Sequence, residues 1–235
     1  MCIRDRNIIT SETTENMETT SLRTQSDVQT KISKKVYIKV KRVIDVILAS
    51  IALILLSPLF AIIAIAIKID SKGPVFFEHK RIGKNGKIIK LYKFRSMVIN
   101  AEELIKSFTP EQMKEYKANY KLTNDPRITK VGKFLRKTSL DELPQLINII
   151  NGDLSIIGPR PVVADELEKY GVNKDKFLSV TPGLTGYWAA NGRSNTTYEQ
   201  RMEMELYYID NLSLKMDIKV FFKTILSVVK KEGAR

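Results

Sequence analysis

The chain has 235 residues, with 39 Lys and Arg against 26 Asp and Glu, a formal net charge of +13 and a pI near 9.7. That length suffices for one domain with a proper core plus an anchor or a tail. The charge calls for an anionic partner: nucleic acid, an acidic lipid surface or phosphorylated ligands. The single Cys2 excludes an intramolecular disulfide framework and a cysteine-built zinc site, and the single His79, in a basic strand-like run, leaves a Ser-His-Asp triad without its usual base.

Residues 1–33 are polar, rich in Thr and Ser and poor in large apolar residues, and are expected to be disordered. The opening Met1-Cys2-Ile3-Arg4-Asp5-Arg6 is set aside for fold reasoning, and no cleavable signal peptide is expected, since the apolar run starts late and lacks a small-residue cleavage site. A basic flank (Lys34, Lys35, Lys39, Lys41, Arg42) leads into nearly continuous apolar sequence from Val43 to Ile67, broken by Asp45, Ser50 and Ser57-Pro58. Such a run is long enough to cross a bilayer, which takes about 20 apolar residues. Two features argue against simple spanning. Lys68 and Lys72 follow directly, so both ends are positive and give no orientation. Pro58 removes a backbone hydrogen bond and kinks a helix, while the Ser57 hydroxyl can take up a freed carbonyl. A bent helix over 34–72 that dips into one leaflet and returns would leave both basic ends on the cytoplasmic side. A buried core helix is the competing reading.

Gly73-Pro74 ends that element. Val75–Ile82 and Lys87–Phe94 are rich in β-branched and aromatic residues, and Asn85-Gly86 between them predicts a hairpin. The hairpin carries Lys80, Arg81, Lys84, Lys87, Lys90, Lys93 and Arg95, which reads either as a solvated face or as a surface toward phosphates or lipid headgroups. Residues 97–121 hold helix formers split by Pro110, so two exposed helices are expected before a turn at Asn124-Asp125-Pro126-Arg127.

The densest chemistry lies in Ser139–Leu146, where Asp141 and Glu142 stand together behind Arg136 and Lys137. Leu143, Leu146, Ile147 and Ile150 are spaced for a helix, and Pro144, tolerable only in a first turn, sets its start near Asp141. Ser139-x-x-Glu142 then reads as a capping box, with both carboxylates at a helix N-terminus that keeps a carboxylate ionised. Capping and catalysis are compatible at this pair. Asn151-Gly152-Asp153 closes the helix, Leu154–Ile157 is a short apolar run, and Gly158-Pro159-Arg160-Pro161 projects one guanidinium from a stiff backbone, suited to bidentate phosphate contact. A turn at Thr181–Gly186 runs into Trp188 and an Asn- and Gly-rich loop; Asn191, Arg193 and, further on, Arg201 are candidate nucleotide-sugar contacts. Tyr198–Asn211 reads as a helix. Leu214, Ile218, Phe221, Phe222, Ile225, Val228 and Val229 form a last helical stripe flanked by Lys215, Lys219 and Lys223, suited to the core or, preferably, to the membrane interface. No P-loop, dinucleotide fingerprint or metalloprotease helix is present.

Taken together, these motifs resemble the bacterial sugar transferases, or monotopic phosphoglycosyltransferases, over residues 36–231. The resemblance rests on Ser57-Pro58, Arg81-Ile82-Gly83-Lys84, Tyr92–Met97, Asp125-Pro126-Arg127, Arg136–Gln145, Asn151–Ser155, Gly158–Pro161 and Thr181–Gly186 in that order. It implies transfer of a sugar 1-phosphate from a UDP-sugar to undecaprenyl phosphate, starting lipid-linked glycan assembly at the inner membrane. It implies an α+β, mainly helical monotopic protein: a disordered 1–33, a re-entrant helix–break–helix within 34–72 centred on Ser57-Pro58, and a cytoplasmic catalytic domain over 73–235 with a small β-hairpin. Asp141 would be the nucleophile, Glu142 would support Mg²⁺ and phosphate, and Arg160 would meet phosphate. Arg136, Arg95 and Arg127 stand in the same motifs and are further candidate phosphate contacts. The expected partners are the UDP-sugar, undecaprenyl phosphate and anionic lipids, and homo-oligomers are compatible with them. A non-catalytic basic adaptor at the membrane explains the charge but not Asp141-Glu142 with Arg160. A nucleic-acid binder is disfavoured by the apolar run and the lack of a recognised module.

Overall fold

The computed structural model describes the backbone of residues 4–119, 122, 124–192 and 196–229, and side chains of 34–116, 122, 124–192 and 196–227. Residues 4–33, expected to be disordered, belong by their backbone to the first helix, and their side chains lie outside the described residues. The apolar run belongs to α1 (Arg4–Asp70), within which Lys34–Asp70 is long and apolar enough to cross a membrane. The break expected at Ser57-Pro58 does not interrupt the helix. Ser57 Oγ donates to the Ile54 carbonyl at 2.8 Å, the acceptor that Pro58, lacking an N–H, leaves unmatched.

β1 (Phe76–Ile82) and β2 (Ile88–Phe94) form the predicted antiparallel hairpin, with Phe76 opposite Phe94. Asn85 and Gly86 both take positive φ, 55° and 77°, the conformation for which Asn-Gly is suited. Helices α2 (Ala101–Leu104) and α3 (Pro110–Asn119) flank the expected break, with Pro110 at the start of α3 and Thr109 and Gln112 capping each other reciprocally. Then follow α4 (Lys130–Thr138), α5 (Gln145–Asn151), β3 (Ser155–Ile157), α6 (Ala164–Glu168), α7 (Lys174–Leu178), β4 (Gly183–Thr185), α8 (Tyr187–Asn191), α9 (Tyr198–Asp210) and α10 (Leu214–Val229). β3 and β4 pair in parallel, a second sheet that the sequence reading lacks because such short strands carry no periodicity.

One face of α1 is tied to the rest of the chain along its described length. Where its apolar half begins, Tyr37 Oη and Lys41 Nζ donate to Asp217 on α10 at 2.9 and 2.7 Å. Arg42 donates to the carbonyls of Ile149 and Ile150 at the end of α5. Asp45 accepts from Ser155 Oγ at 2.7 Å and from the Ile156 N–H at 3.2 Å. Ala49 shares a core with Ile89, Leu91, Leu146, Ile149 and Leu154. Ile63 and Ile67 share another with Phe94 and Leu135. At the far end, Asp70 accepts the Val131 N–H at 2.9 Å. The opposite face, including Val43, Ile47, Ile51, Ile54, Leu55, Ile62, Ile65 and Ile69, is exposed and apolar. A third core joins Ile157, Val162, Tyr170, Phe177, Tyr208 and Val220 around the second sheet.

Candidate active site

The chain reverses between α4 and α5 at Ser139. Ser139 closes α4 in the left-handed conformation, with φ 57°, and its side chain makes no capping bond. The expected capping box is therefore not formed. Leu140–Glu142 is a single 3-10 turn, and α5 starts at Gln145, just after Pro144. Glu142 instead reaches across to β2, where Lys93 Nζ donates to it at 2.7 Å. β2 is fixed there by Asn148 of α5, fully buried, whose amide donates to the Lys90 carbonyl at 2.7 Å and accepts the Tyr92 N–H at 2.9 Å. Asn148 thus acts as a substitute strand along the β2 edge on either side of Leu91.

Asp141 is 9% exposed. Burial holds its carboxyl above the usual carboxylate range and the Glu142 charge adds to this, while Lys93 and Arg136 work in the opposite direction. Asp141 stands in a single 3-10 turn rather than at the N-terminus of a full helix, so the expected dipole contribution is small and burial sets the direction of its shift.

The four candidate phosphate arginines divide. Arg136 stays beside Asp141 and donates through Nε to Ser96 Oγ at 2.9 Å. Arg160 is exposed, with its guanidinium 5.9 Å from the Trp188 ring centre. Arg95 is committed elsewhere. Its guanidinium donates to the carbonyls of Ser71 at 2.8 Å and Lys72 at 2.5 Å, holding the end of α1. Arg127 forms a buried bidentate pair with Asp125 at 2.8 and 2.6 Å, with its guanidinium against the Phe108 and Tyr116 rings, which also touch each other. Among the nucleotide-sugar candidates, Asn191 bonds to the Tyr187 carbonyl and Lys223, and Arg193 lies outside the described residues. Arg201 is buried and lies 4.8 Å from the Trp188 ring centre.

Residues outside the expected phosphate and nucleotide-sugar contacts connect these groups. Arg81 on β1 lies in the fields of Arg160, Glu166, Arg201 and Glu142, so the carboxylate pair and the Trp188 region border one site. Glu166 bridges Arg81 at 3.6 Å and Arg201 at 3.4 Å. His79 is pushed down to about 4, first by burial and then by Arg81, Lys93 and Arg160, and is neutral at neutral pH. Strand alternation carried the available signal: His79 and Arg81 share one face of the hairpin with Lys93.

Among the described residues no group of three or more His, Cys, Asp or Glu gathers. Mg²⁺ takes one or two carboxylates and completes its shell with water and phosphate oxygens, a donor number that Asp141 and Glu142 could supply, with Glu142 engaged here by Lys93. Asp141 is thus a buried carboxylate acted on by two cations, Lys93 and Arg136. Residues 36–231 match the family described as bacterial sugar transferase, and the chain belongs to that family. It is 47% identical over 197 residues to the exopolysaccharide production protein ExoY of Rhizobium meliloti, covering 83% of this chain and 87% of that protein. It is 45% identical over 197 residues to an uncharacterized sugar transferase of Haemophilus influenzae, covering 83% and 42%. It is 42% identical over 210 residues to the undecaprenyl-phosphate galactose phosphotransferase of Salmonella typhimurium, covering 88% and 44%. The chain thus spans under half the length of the last two.

Proposed function

We propose that this chain transfers a sugar 1-phosphate from a UDP-sugar to undecaprenyl phosphate, releasing UMP, as the first membrane step of exopolysaccharide or related glycan assembly. The observation that carries this reading is the buried Asp141, acted on by Lys93 and Arg136, with its neighbour Glu142 in the field of Arg81, which also senses Arg160 and Arg201. The name of the Salmonella relative, a galactose phosphotransferase acting on undecaprenyl phosphate, supports it.

In this reading an Asp141 oxygen attacks the β-phosphorus of the UDP-sugar. The bond from that phosphorus to the bridging oxygen breaks, and its electron pair leaves with UMP. An oxygen of undecaprenyl phosphate then attacks the same phosphorus, the bond to Asp141 breaks, and the carboxylate is restored. Lys93 and Arg136 favour the ionised Asp141 that the first attack requires. Arg160 and Arg81 offset the phosphate charge. Asp141 and Glu142 would hold Mg²⁺, which screens the diphosphate when bound. His79, neutral at neutral pH, serves as no acid here, and a phosphate monoester is already an anionic nucleophile.

The membrane reading is supported by α1. Tyr37, Lys41 and Arg42 before its apolar run and Asp70 and Ser71 after it all bond to the same body of the chain. A helix crossing to the far side would separate those anchors. The exposed apolar face is therefore assigned to one leaflet, with both ends at the cytoplasmic surface. The outer face of α10, with Leu214, Ile218, Phe221 and Ile225 exposed beside Lys215 and Lys219, is assigned to the same interface. The test is UMP release from a panel of UDP-sugars with and without undecaprenyl phosphate. Lipid-dependent turnover is expected with at least one sugar; no UMP from any of them defeats the reading.

A further inference from the structure

The loop Gly158-Pro159-Arg160-Pro161 has few backbone donors, since its prolines have none. The Gly158 N–H goes to the Thr185 carbonyl at 2.9 Å, and the Arg160 N–H goes to a side chain, Glu205 Oε1, at 3.0 Å. Backbone packing seats the other side of the loop. A Cβ at Gly183 would fall 2.1 Å from the Gly158 nitrogen, and one at Gly186 would fall 2.1 Å from the Gly158 oxygen. The loop is therefore held by a hard backbone seat and by one carboxylate.

Glu205 lies on α9 and is 1% exposed. A buried carboxylate costs stability unless its bonds return it, so its retention here asks for a reason. Its Oε2 has no protein partner among the described residues, and the same holds for Arg201 Nε and Nη2 and for the Tyr170 hydroxyl. Arg201, one turn before Glu205 on α9, lies against the Trp188 ring on which Arg160 also bears.

We propose that Glu205 is a positioning residue: through the Arg160 N–H, its buried carboxylate fixes the loop that presents the Arg160 guanidinium beside Trp188 to the phosphates of the substrate. The phosphate part of this inference rests on the reaction proposed above. Burial pushes Glu205 up to about 7, against the pull of the Arg160 N–H and the Arg201 and Arg160 charges. Tyr170 and Tyr198 also sense the Glu205 charge, and both sense Glu166. An ionised carboxylate accepts a hydrogen bond more strongly than a protonated one. The grip on Arg160 accordingly tightens as pH rises through neutrality.

Trp188 is the single tryptophan of the chain, so its emission reports on the two guanidiniums without any substrate. The experiment follows that emission from acid to mildly alkaline pH in the full chain, in detergent or nanodiscs, and then titrates with UDP. Glu205→Gln keeps an acceptor for Arg160 but cannot ionise; Glu205→Leu removes the acceptor and breaks no other described bond. Wild-type emission is expected to titrate near neutral pH, and Glu205→Gln to abolish that transition. UDP affinity is expected to fall by roughly fivefold in Glu205→Gln and about tenfold or more in Glu205→Leu, the scale of a neutral and a charged hydrogen bond. In an Arg160→Ala background, which keeps the backbone N–H, both losses are expected to vanish. A transition that survives Glu205→Gln, wild-type UDP affinity in Glu205→Leu, or losses that add fully to Arg160→Ala overturns the proposal. If Glu205→Leu does not fold, the near-isosteric Glu205→Gln decides. Absence of UMP release with an intact Trp188 transition sinks the reaction and leaves the positioning role standing.

Discussion

Asp217→Ala tests how α1 is held to the catalytic body. Asp217 is 8% exposed and accepts three donors: Tyr37 Oη at 2.9 Å, Lys41 Nζ at 2.7 Å and Tyr208 Oη at 2.6 Å. Two come from α1 and one from α9, so one carboxylate on α10 joins three elements. Breaking a buried ion pair by removing one partner costs about 3–5 kcal/mol, because the remaining polar groups lose their compensation. The Lys41 side chain is 15% exposed and can turn partly to water, which puts the expected loss at about 3–4 kcal/mol. For a chain of this size, 1 kcal/mol moves Tm by about 2–4 °C, giving a drop of roughly 6–16 °C. Thermal unfolding in a fixed detergent measures it, and hydrogen exchange locates it. Faster exchange is expected over 35–45 and little change over 130–150, because Asp70 and the Leu135 core anchor the other end independently. UMP release per folded molecule is expected to survive. A Tm drop below about 3 °C, or exchange that rises equally at both ends of α1, refutes the anchoring argument.

Other substitutions probe the site and its supports. Since Lys93 lowers the raised Asp141 carboxyl and Glu142 raises it, Lys93→Met is expected to move the acid limb of the kcat/KM–pH profile to higher pH, and Glu142→Gln to lower pH. The sign follows from the need for ionised Asp141; coincident limbs in all three proteins contradict it. Gly132→Ala places a Cβ 2.0 Å from the Ser96 carbonyl oxygen, an overlap that backbone must absorb, with an expected loss of about 3 kcal/mol or more. It should also weaken activity by displacing Ser96 from Arg136, and wild-type Tm with wild-type kinetics would contradict that. In a Cys2→Ser background, cysteines at Lys35 and Lys72 are expected to label from the same side of oriented vesicles; labelling from opposite sides rules out the one-leaflet assignment.

The hairpin was legible because Asn85-Gly86 is a local signal that suits two positive φ values in succession. The long apolar helix and the Asp141-Glu142 pair were legible for the same kind of reason. The capping box was not, because two local rules competed for Ser139. A residue closing α4 in the left-handed conformation cannot also take the extended conformation of an N-cap. Arg95 and Arg160 look alike in sequence, but the partners of Arg95 lie at Ser71 and Lys72 on the far side of the hairpin, a pairing that only the fold creates. Arg127 was more readable, since its carboxylate stands two residues away in Asp125-Pro126-Arg127. Glu205 gave no signal, for an acidic residue within a charged helix reads as solvated until the fold buries it.

The proposed reaction stands on Asp141 as the nucleophile. Its most direct test is mass spectrometry of the protein mixed with a competent UDP-sugar and no lipid acceptor. The expected result is about one equivalent of UMP per chain and a sugar phosphate carried on the peptide that contains Asp141, discharged when undecaprenyl phosphate is added, with neither event in Asp141→Asn. Sustained lipid-dependent turnover by Asp141→Asn, or an adduct on another residue, would contradict it.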